Sequence, residues 1–366
     1  MPSLIPEPAL ARLLERIESE QLDVHALLVL HRGALVTEKY YPGHSMTDVH
    51  RLYSVAKSFT ALAVGALCDE GRLSLEDRIV DHFPEKLPAQ VHPWIAAMSV
   101  RDLMTMRTAH RTTSFVQVPD TDWVRTFFTV APTQQPGTEF SYDTSASVVL
   151  SALVEKLTGR WLEEFLLERV LGPLGFGAET RGTRPALSAW RSPQGMSMES
   201  LDGSPSWEAV PVNPDGVTHG GSAMFCTARD LARFAQLCLA SGRHQDRQII
   251  SAQFMAAATG WQVPTADESF PCLDNRQGYG YQFWRTRHHG FLAWGIGGQI
   301  ALCLPDYDLA LVTLGSTFDR SDDHQIILDA VWEELLPVLD PVDATQTALR
   351  LDHPEAQGRA PHDRPA

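Results

Sequence analysis

The chain has 366 residues, and 30 Lys and Arg against 45 Asp and Glu give it a formal net charge of −15. That length supports a large core and roughly two lobes without any need for disulfide staples. The acidic balance, with no block of Lys and Arg, argues against nucleic-acid partners and against anionic membrane surfaces.

From the N-terminus, Glu7, Arg12, Glu15, Arg16, Glu18 and Glu20 interrupt any apolar leader core, so no signal peptide is expected and the default is a cytoplasmic protein. No run approaches 18 apolar residues, so no membrane span is expected. Leu10, Leu13, Leu14 and Ile17 follow the i, i+3, i+4, i+7 rhythm of a packing helix. His25–His31 and Ala34–Tyr40 read as strands joined by an Arg32-Gly33 hairpin turn. A helix runs from Ser54 to Glu70, with Gly71 as its C-terminal stop. Further helices are predicted over Ser147–Leu157, Trp161–Leu171, Ala228–Leu239 and Asp322–Leu336, and further strands over Gln299–Leu304 and Leu309–Leu314. The segments 107–137 and 183–221 read as long loops of the kind that line sites. Strands from both chain ends thus share one sheet, with a mostly helical lobe inserted between them. The expected organisation is one catalytic domain over 1–337. Its sheet lobe is about 1–60 plus 280–337 and its helical lobe about 61–279. A polar tail follows over 338–366.

Cys68, Cys226, Cys238, Cys272 and Cys303 are odd in number, widely spaced and set in apolar surroundings, the pattern of buried free thiols. His288-His289 has no further ligand at metal-site spacing, so no metal and no cofactor are expected.

Three elements carry chemistry. Ser54 and Lys57 stand at i and i+3 at the start of a helix, on one face. A serine needs a base to attack, and a lysine becomes one when desolvation lowers its pKa. The first helical turn also offers unpaired N–H groups to an oxyanion. Tyr142, after the Pro136-Gly137 turn, is placed to relay a proton, and Thr144 two residues on is a hydrogen-bonding candidate. Phe291 to Gln299 contains Gly295-Ile296-Gly297-Gly298, glycines beside a strand that permit close approach of backbone to a ligand. His219, before Gly220-Gly221, is a candidate cleft contact, and Trp294 a candidate wall of the acyl pocket.

Together these elements resemble the serine β-lactamase and penicillin-binding-protein superfamily. The similarity is greatest to the class C-like branch of esterases, D-amino-acid peptidases and aminohexanoate-dimer hydrolases. It spans about residues 20–335 and includes Gly71-Arg72-Leu73-Ser74-Leu75-Glu76-Asp77, Val100 to Met106, Leu171-Gly172-Pro173-Leu174-Gly175 and Tyr279-Gly280-Tyr281. The resemblance implies a mixed α/β (α+β), β-lactamase/transpeptidase-like fold, with an antiparallel sheet built from both chain ends and flanked by helices. It implies Ser54 as the acylated nucleophile, Lys57 as its base and Tyr142 as the second acid/base. The backbone N–H groups of Ser54 and Ile296 would form the oxyanion hole, with Thr144, His219, Trp294 and Gly295 contacting substrate. Two positions depart from the family pattern. Thr144 stands where Asn is usual, and Ala293 where a Lys or His usually opens the third box. The lost cation argues against efficient β-lactam or D-Ala-D-Ala chemistry. The expected activity is metal-free hydrolysis of a small-molecule ester or amide. A D-amino-acid peptidase or β-lactamase-like enzyme, and a sensor acylated with little turnover, stay open as alternatives. The oligomeric state is not legible.

Overall fold

The structure, a computed structural model, describes residues 5–179, 212–265 and 272–342. Most of the 183–221 loop and the tail beyond residue 342 lie outside the described residues. Six strands form one antiparallel sheet: β1 (Val24–His31), β2 (Ala34–Tyr40), β3 (Trp284–Arg285), β4 (Phe291–Gly295), β5 (Gln299–Leu304) and β6 (Leu309–Gly315), in the order β2-β1-β6-β5-β4-β3. The N-terminal hairpin therefore pairs directly with a C-terminal strand, Ala26 facing Leu314 and Leu30 facing Ala310. Every residue of β1, β5 and β6 is buried, because helices cover the sheet on both faces. Helix α1 (Glu7–Ser19) buries Leu10, Leu13 and Ile17.

Helix α2 (Ala56–Asp69) is the spine of the second lobe. All residues from Ala56 to Leu67 are buried, and the helix packs on α3 (Thr144–Thr158). It ends as expected of its glycine. Gly71 sits at φ +66, and the N–H of Arg72 donates to Leu67 O at 3.0 Å, a Schellman closure. Helix α4 (Ala228–Leu239) lies across β1, β5 and β6, and α5 (Asp323–Glu334) packs against α1. No helix among the described residues is long and apolar enough to cross a membrane.

One sequence expectation changes. Segment 107–137 is not structureless. It contains a helical turn at Ser114–Val116 and a helix at Trp123–Thr129, capped by the Asp122 side chain. Phe291–Gly295 forms a strand, and its pleat decides which side chains reach the site.

The five cysteines are free, and four of them are buried.

Candidate active site

A buried helix can carry polar side chains only if loops come in to satisfy them. On α2, Thr60 Oγ1 donates to Gly220 O at 2.8 Å, and on α3, Ser151 Oγ donates to Thr218 O at 2.7 Å. The segment 218–222 is thereby clamped between the two helices. Gly220 has no room for a side chain: a Cβ there would stand 2.6 Å from Ser147 O and 3.0 Å from Thr60 Oγ1. The clamp brings Gly221 O to 3.1 Å from Lys57 Nζ.

The chain enters α2 through a strained corner. Tyr53 has φ +47, an unusual conformation for a bulky residue, in the short 3-10 turn Tyr53–Val55. Ser54 follows as a partly exposed residue in an otherwise buried stretch, and Lys57 Nζ lies 3.1 Å from its Oγ. Lys57 is fully buried, and the loss of solvent pulls its amine down to about 7 from the usual lysine range; the Asp143 charge opposes this only in part. At neutral pH a large fraction of this amine is therefore unprotonated, as a general base must be.

Tyr142 stacks on Trp284, with ring centroids 5.5 Å apart, and lies under Lys57 Nζ at 5.0 Å from the ring centre. Burial pushes its phenol well above the usual tyrosine range, while a hydrogen bond to Ser54 pulls the other way. The adjacent Asp143 fixes the segment. Its carboxylate caps α3 through Ser145 N at 2.8 Å and accepts from Thr108 Oγ1 at 3.0 Å. Burial raises the pKa of Asp143.

The third wall is the end of β4. A Cβ on Gly295 would collide with Leu52 O and stand 3.0 Å from Ser54 N. Only glycine lets the strand press this close to the Ser54 amide. Ser54 is in a first helical turn, where its N–H has no intrahelical acceptor.

Ser54, Lys57, Thr144, His219 and Ile296 line one cavity of ≈ 260 Å³. His219 is buried there against Trp123 and Phe115, and burial with the nearby Lys57 and Arg51 cations lowers its pKa to about 3, so it is neutral at physiological pH. Trp294 is a correction. The pleat of β4 turns it away from the cavity, and its indole stacks on His324 of α5 with centroids 4.0 Å apart. Gly295 does not line the cavity. His288 and His289 diverge, the first onto Trp332 and the second onto Asp306.

Sequence reasoning missed Arg51, Thr113, Phe115 and Ser222, which also line the cavity. Arg51 is buried, donates to Ser222 Oγ at 3.0 Å and to Ser222 O at 3.3 Å, and has no carboxylate partner among the described residues. Its position three residues before Ser54 was the one available signal. Thr113 arrives from segment 107–137, docked by Thr144 N donating to its Oγ1 at 3.2 Å.

A family model described as Beta-lactamase matches residues 12–336. The chain is similar to 6-aminohexanoate-dimer hydrolase of Paenarthrobacter ureafaciens, 27% identical over 339 residues, covering 86% of this chain and 79% of that protein. Among solved structures, a D-stereospecific amidohydrolase from a Streptomyces species shares the fold with TM-score 0.63 and 19% identity, over 87% of this chain and 97% of that one. A family VIII carboxylesterase does so with TM-score 0.62 and 17% identity, over 90% and 99%. The chain belongs to the beta-lactamase family, a family of hydrolases, as the motifs had indicated.

Proposed function

We propose that this chain of the beta-lactamase family is a serine hydrolase that cleaves a small ester or amide through an acyl-enzyme on Ser54. The single observation that carries the reading is the 3.1 Å contact between Ser54 Oγ and a buried Lys57 amine whose pKa is drawn down to about 7. Similarity to an amide-cleaving dimer hydrolase supports the substrate class.

In this mechanism Lys57 Nζ takes the Ser54 proton as Oγ attacks the carbonyl carbon. The Ser54 and Ile296 N–H groups stabilise the oxyanion that forms. Tyr142 gives its phenolic proton to the departing alcohol or amine and recovers one from the Lys57 ammonium, so the site returns to its starting charge. Its raised pKa suits this role, because the phenol stays protonated until the leaving group needs the proton. Water then attacks the acyl carbon, passing its proton to Tyr142 as Tyr142 passes its own to Lys57. The Lys57 ammonium returns that proton to Ser54 Oγ as the bond to the acyl carbon breaks, so Ser54 leaves as the alcohol and the acid is released.

A second reading rests on Arg51. Ala293 removes the cation usual in the third box, yet Arg51 brings a permanent charge into the same cavity. That favours substrates bearing a carboxylate, including D-amino-acid peptides, over wholly neutral esters.

Incubation with p-nitrophenyl butyrate followed by intact-mass measurement tests the main reading. The expected result is a transient mass increase of one butyryl group, absent in Ser54→Ala. A Ser54→Ala variant that still acylates and turns over contradicts it.

A further inference from the structure

Outside the cavity, three histidines converge. His25 Nδ1 lies 2.7 Å from His50 Nε2, and one ring nitrogen of each of His25, His44 and His50 falls within 4.8 Å of the other two. The backbone aims them there. His25 occupies a bulge in the pairing of β1 with β6, between Val24 opposite Gly315 and Ala26 opposite Leu314, and a bulge redirects a side chain. His50 opens the two-residue strand His50–Arg51, which pairs with Phe225–Cys226. His44 sits in the turn that closes with His44 N donating to Tyr41 O at 3.0 Å.

Carboxylates stand behind the rings. Asp23 Oδ1 is 3.5 Å from His25 Nε2, and Asp48 Oδ2 is 3.4 Å from His44 Nδ1. Asp48 is itself held by Ser45, whose N and Oγ donate to it at 3.0 and 2.7 Å. Carboxylates on the outer nitrogens of a histidine cluster fix ring orientation and raise ligand basicity, the arrangement that supports metal-ligating imidazoles.

We propose that His25, His44 and His50 form a binding site for a divalent transition ion, with Zn²⁺ as its representative. Three imidazoles suit a borderline ion and not the hard cations Mg²⁺ or Ca²⁺, which take oxygen ligands. With Zn–N bonds of roughly 2.0–2.1 Å, tetrahedral ligand nitrogens sit roughly 3.3 Å apart, so the cluster needs only a local adjustment. One ring must turn. His44 lies flat on His25, centroids 3.7 Å apart and planes 13° apart, and parallel rings cannot both aim in-plane lone pairs at one ion. His44 is the half-exposed member and sits in a turn, so it is the ring free to swing, with the fourth position left to solvent. None of the three histidines lines the Ser54 cavity. The ion would instead tie β1 to the segment that continues through Arg51 into Ser54. The irregular spacing of 25, 44 and 50 matches no ligand motif, and the sequence reading, which expected no metal, weighed the cysteines and His288-His289 but not these three.

The test is calorimetric titration of the full chain, free of any affinity tag and pretreated with chelator, with ZnCl₂. His44→Ala and Asp48→Asn are titrated beside it, and unfolding is followed by circular dichroism. The expected result is one Zn²⁺ per chain with a raised Tm and no response to MgCl₂. Binding should weaken roughly 100-fold or more in His44→Ala and roughly 10-fold in Asp48→Asn. His44 is half-exposed, so its replacement leaves the core packed, and an unchanged dichroism spectrum separates a lost ligand from a lost fold. Absence of a one-site isotherm in the wild type, or equal affinity in wild type and His44→Ala, overturns the proposal.

Discussion

The two walls of the cavity treat positive charge in opposite ways. On the α2 wall, burial strips Lys57 of much of its charge at neutral pH. On the wall formed by the short strand before Ser54, burial lowers the pKa of Arg51 too, but a guanidinium starts so high that it stays charged throughout the physiological range. The same desolvation thus leaves a largely neutral amine on one side and a fixed cation on the other. The residue type sets the outcome, through where its titration begins.

The largest expected effect comes from removing the tunable cation. Lys57→Met should lower turnover roughly 10³-fold or more, measured as kcat/KM on p-nitrophenyl butyrate. The same variant should be more stable than the wild type. A lysine that titrates near 7 folded and 10.5 unfolded costs stability below about pH 7, and the cost fades as pH rises toward 10.5. The difference is on the order of 5 kcal/mol at most, so thermal melts should place Lys57→Met above wild type at pH 7 and bring the two together near pH 10. A lower Tm for the variant at pH 7 would show that Lys57 is held charged, and the contrast between the two walls would collapse.

Tyr142→Phe should come next, costing roughly 10²–10⁴-fold on an amide and much less on a p-nitrophenyl ester, whose leaving group needs little protonation. Equal losses on both substrates would remove Tyr142 from leaving-group protonation. Arg51→Gln should give the smallest effect. KM for a p-nitrophenyl ester with a carboxylate on its acyl chain should rise roughly 10-fold, with kcat and neutral-ester kinetics little changed. If both esters suffer alike, Arg51 supports the corner through Tyr53 and Ser222 and does not read charge.

Much of this was legible in the sequence because it is local. The spacing of Ser54 and Lys57, the glycine after α2 and the hairpin at Arg32-Gly33 each encode their geometry within a few residues. The joining of β1 to β6 followed from strand-like runs at both chain ends. What was not legible depends on register or on distant contact. Trp294 was a candidate wall of the acyl pocket because it stands beside Gly295-Ile296-Gly297-Gly298, with no strand register to orient it. In the strand Phe291–Gly295 the period of two puts Ala293 and Gly295 on one face and Trp294 on the other. Thr113 and Phe115 reach the cavity only because Thr108, Ser114 and Thr113 dock segment 107–137 onto Asp143, Ser145 and Thr144 at the start of α3. The histidines of the proposed ion site meet only after a bulge, a turn and a two-residue strand have each formed.

The central claim is that a neutral Lys57 generates the Ser54 nucleophile. The most direct test is the pH dependence of the pre-steady-state burst with p-nitrophenyl butyrate over about pH 5 to 9. The account predicts a Ser54-dependent burst whose rate climbs through pH about 7, where the amine loses its proton, and then levels. A burst rate that is flat across this range, or one that survives unchanged in Lys57→Met, would contradict it.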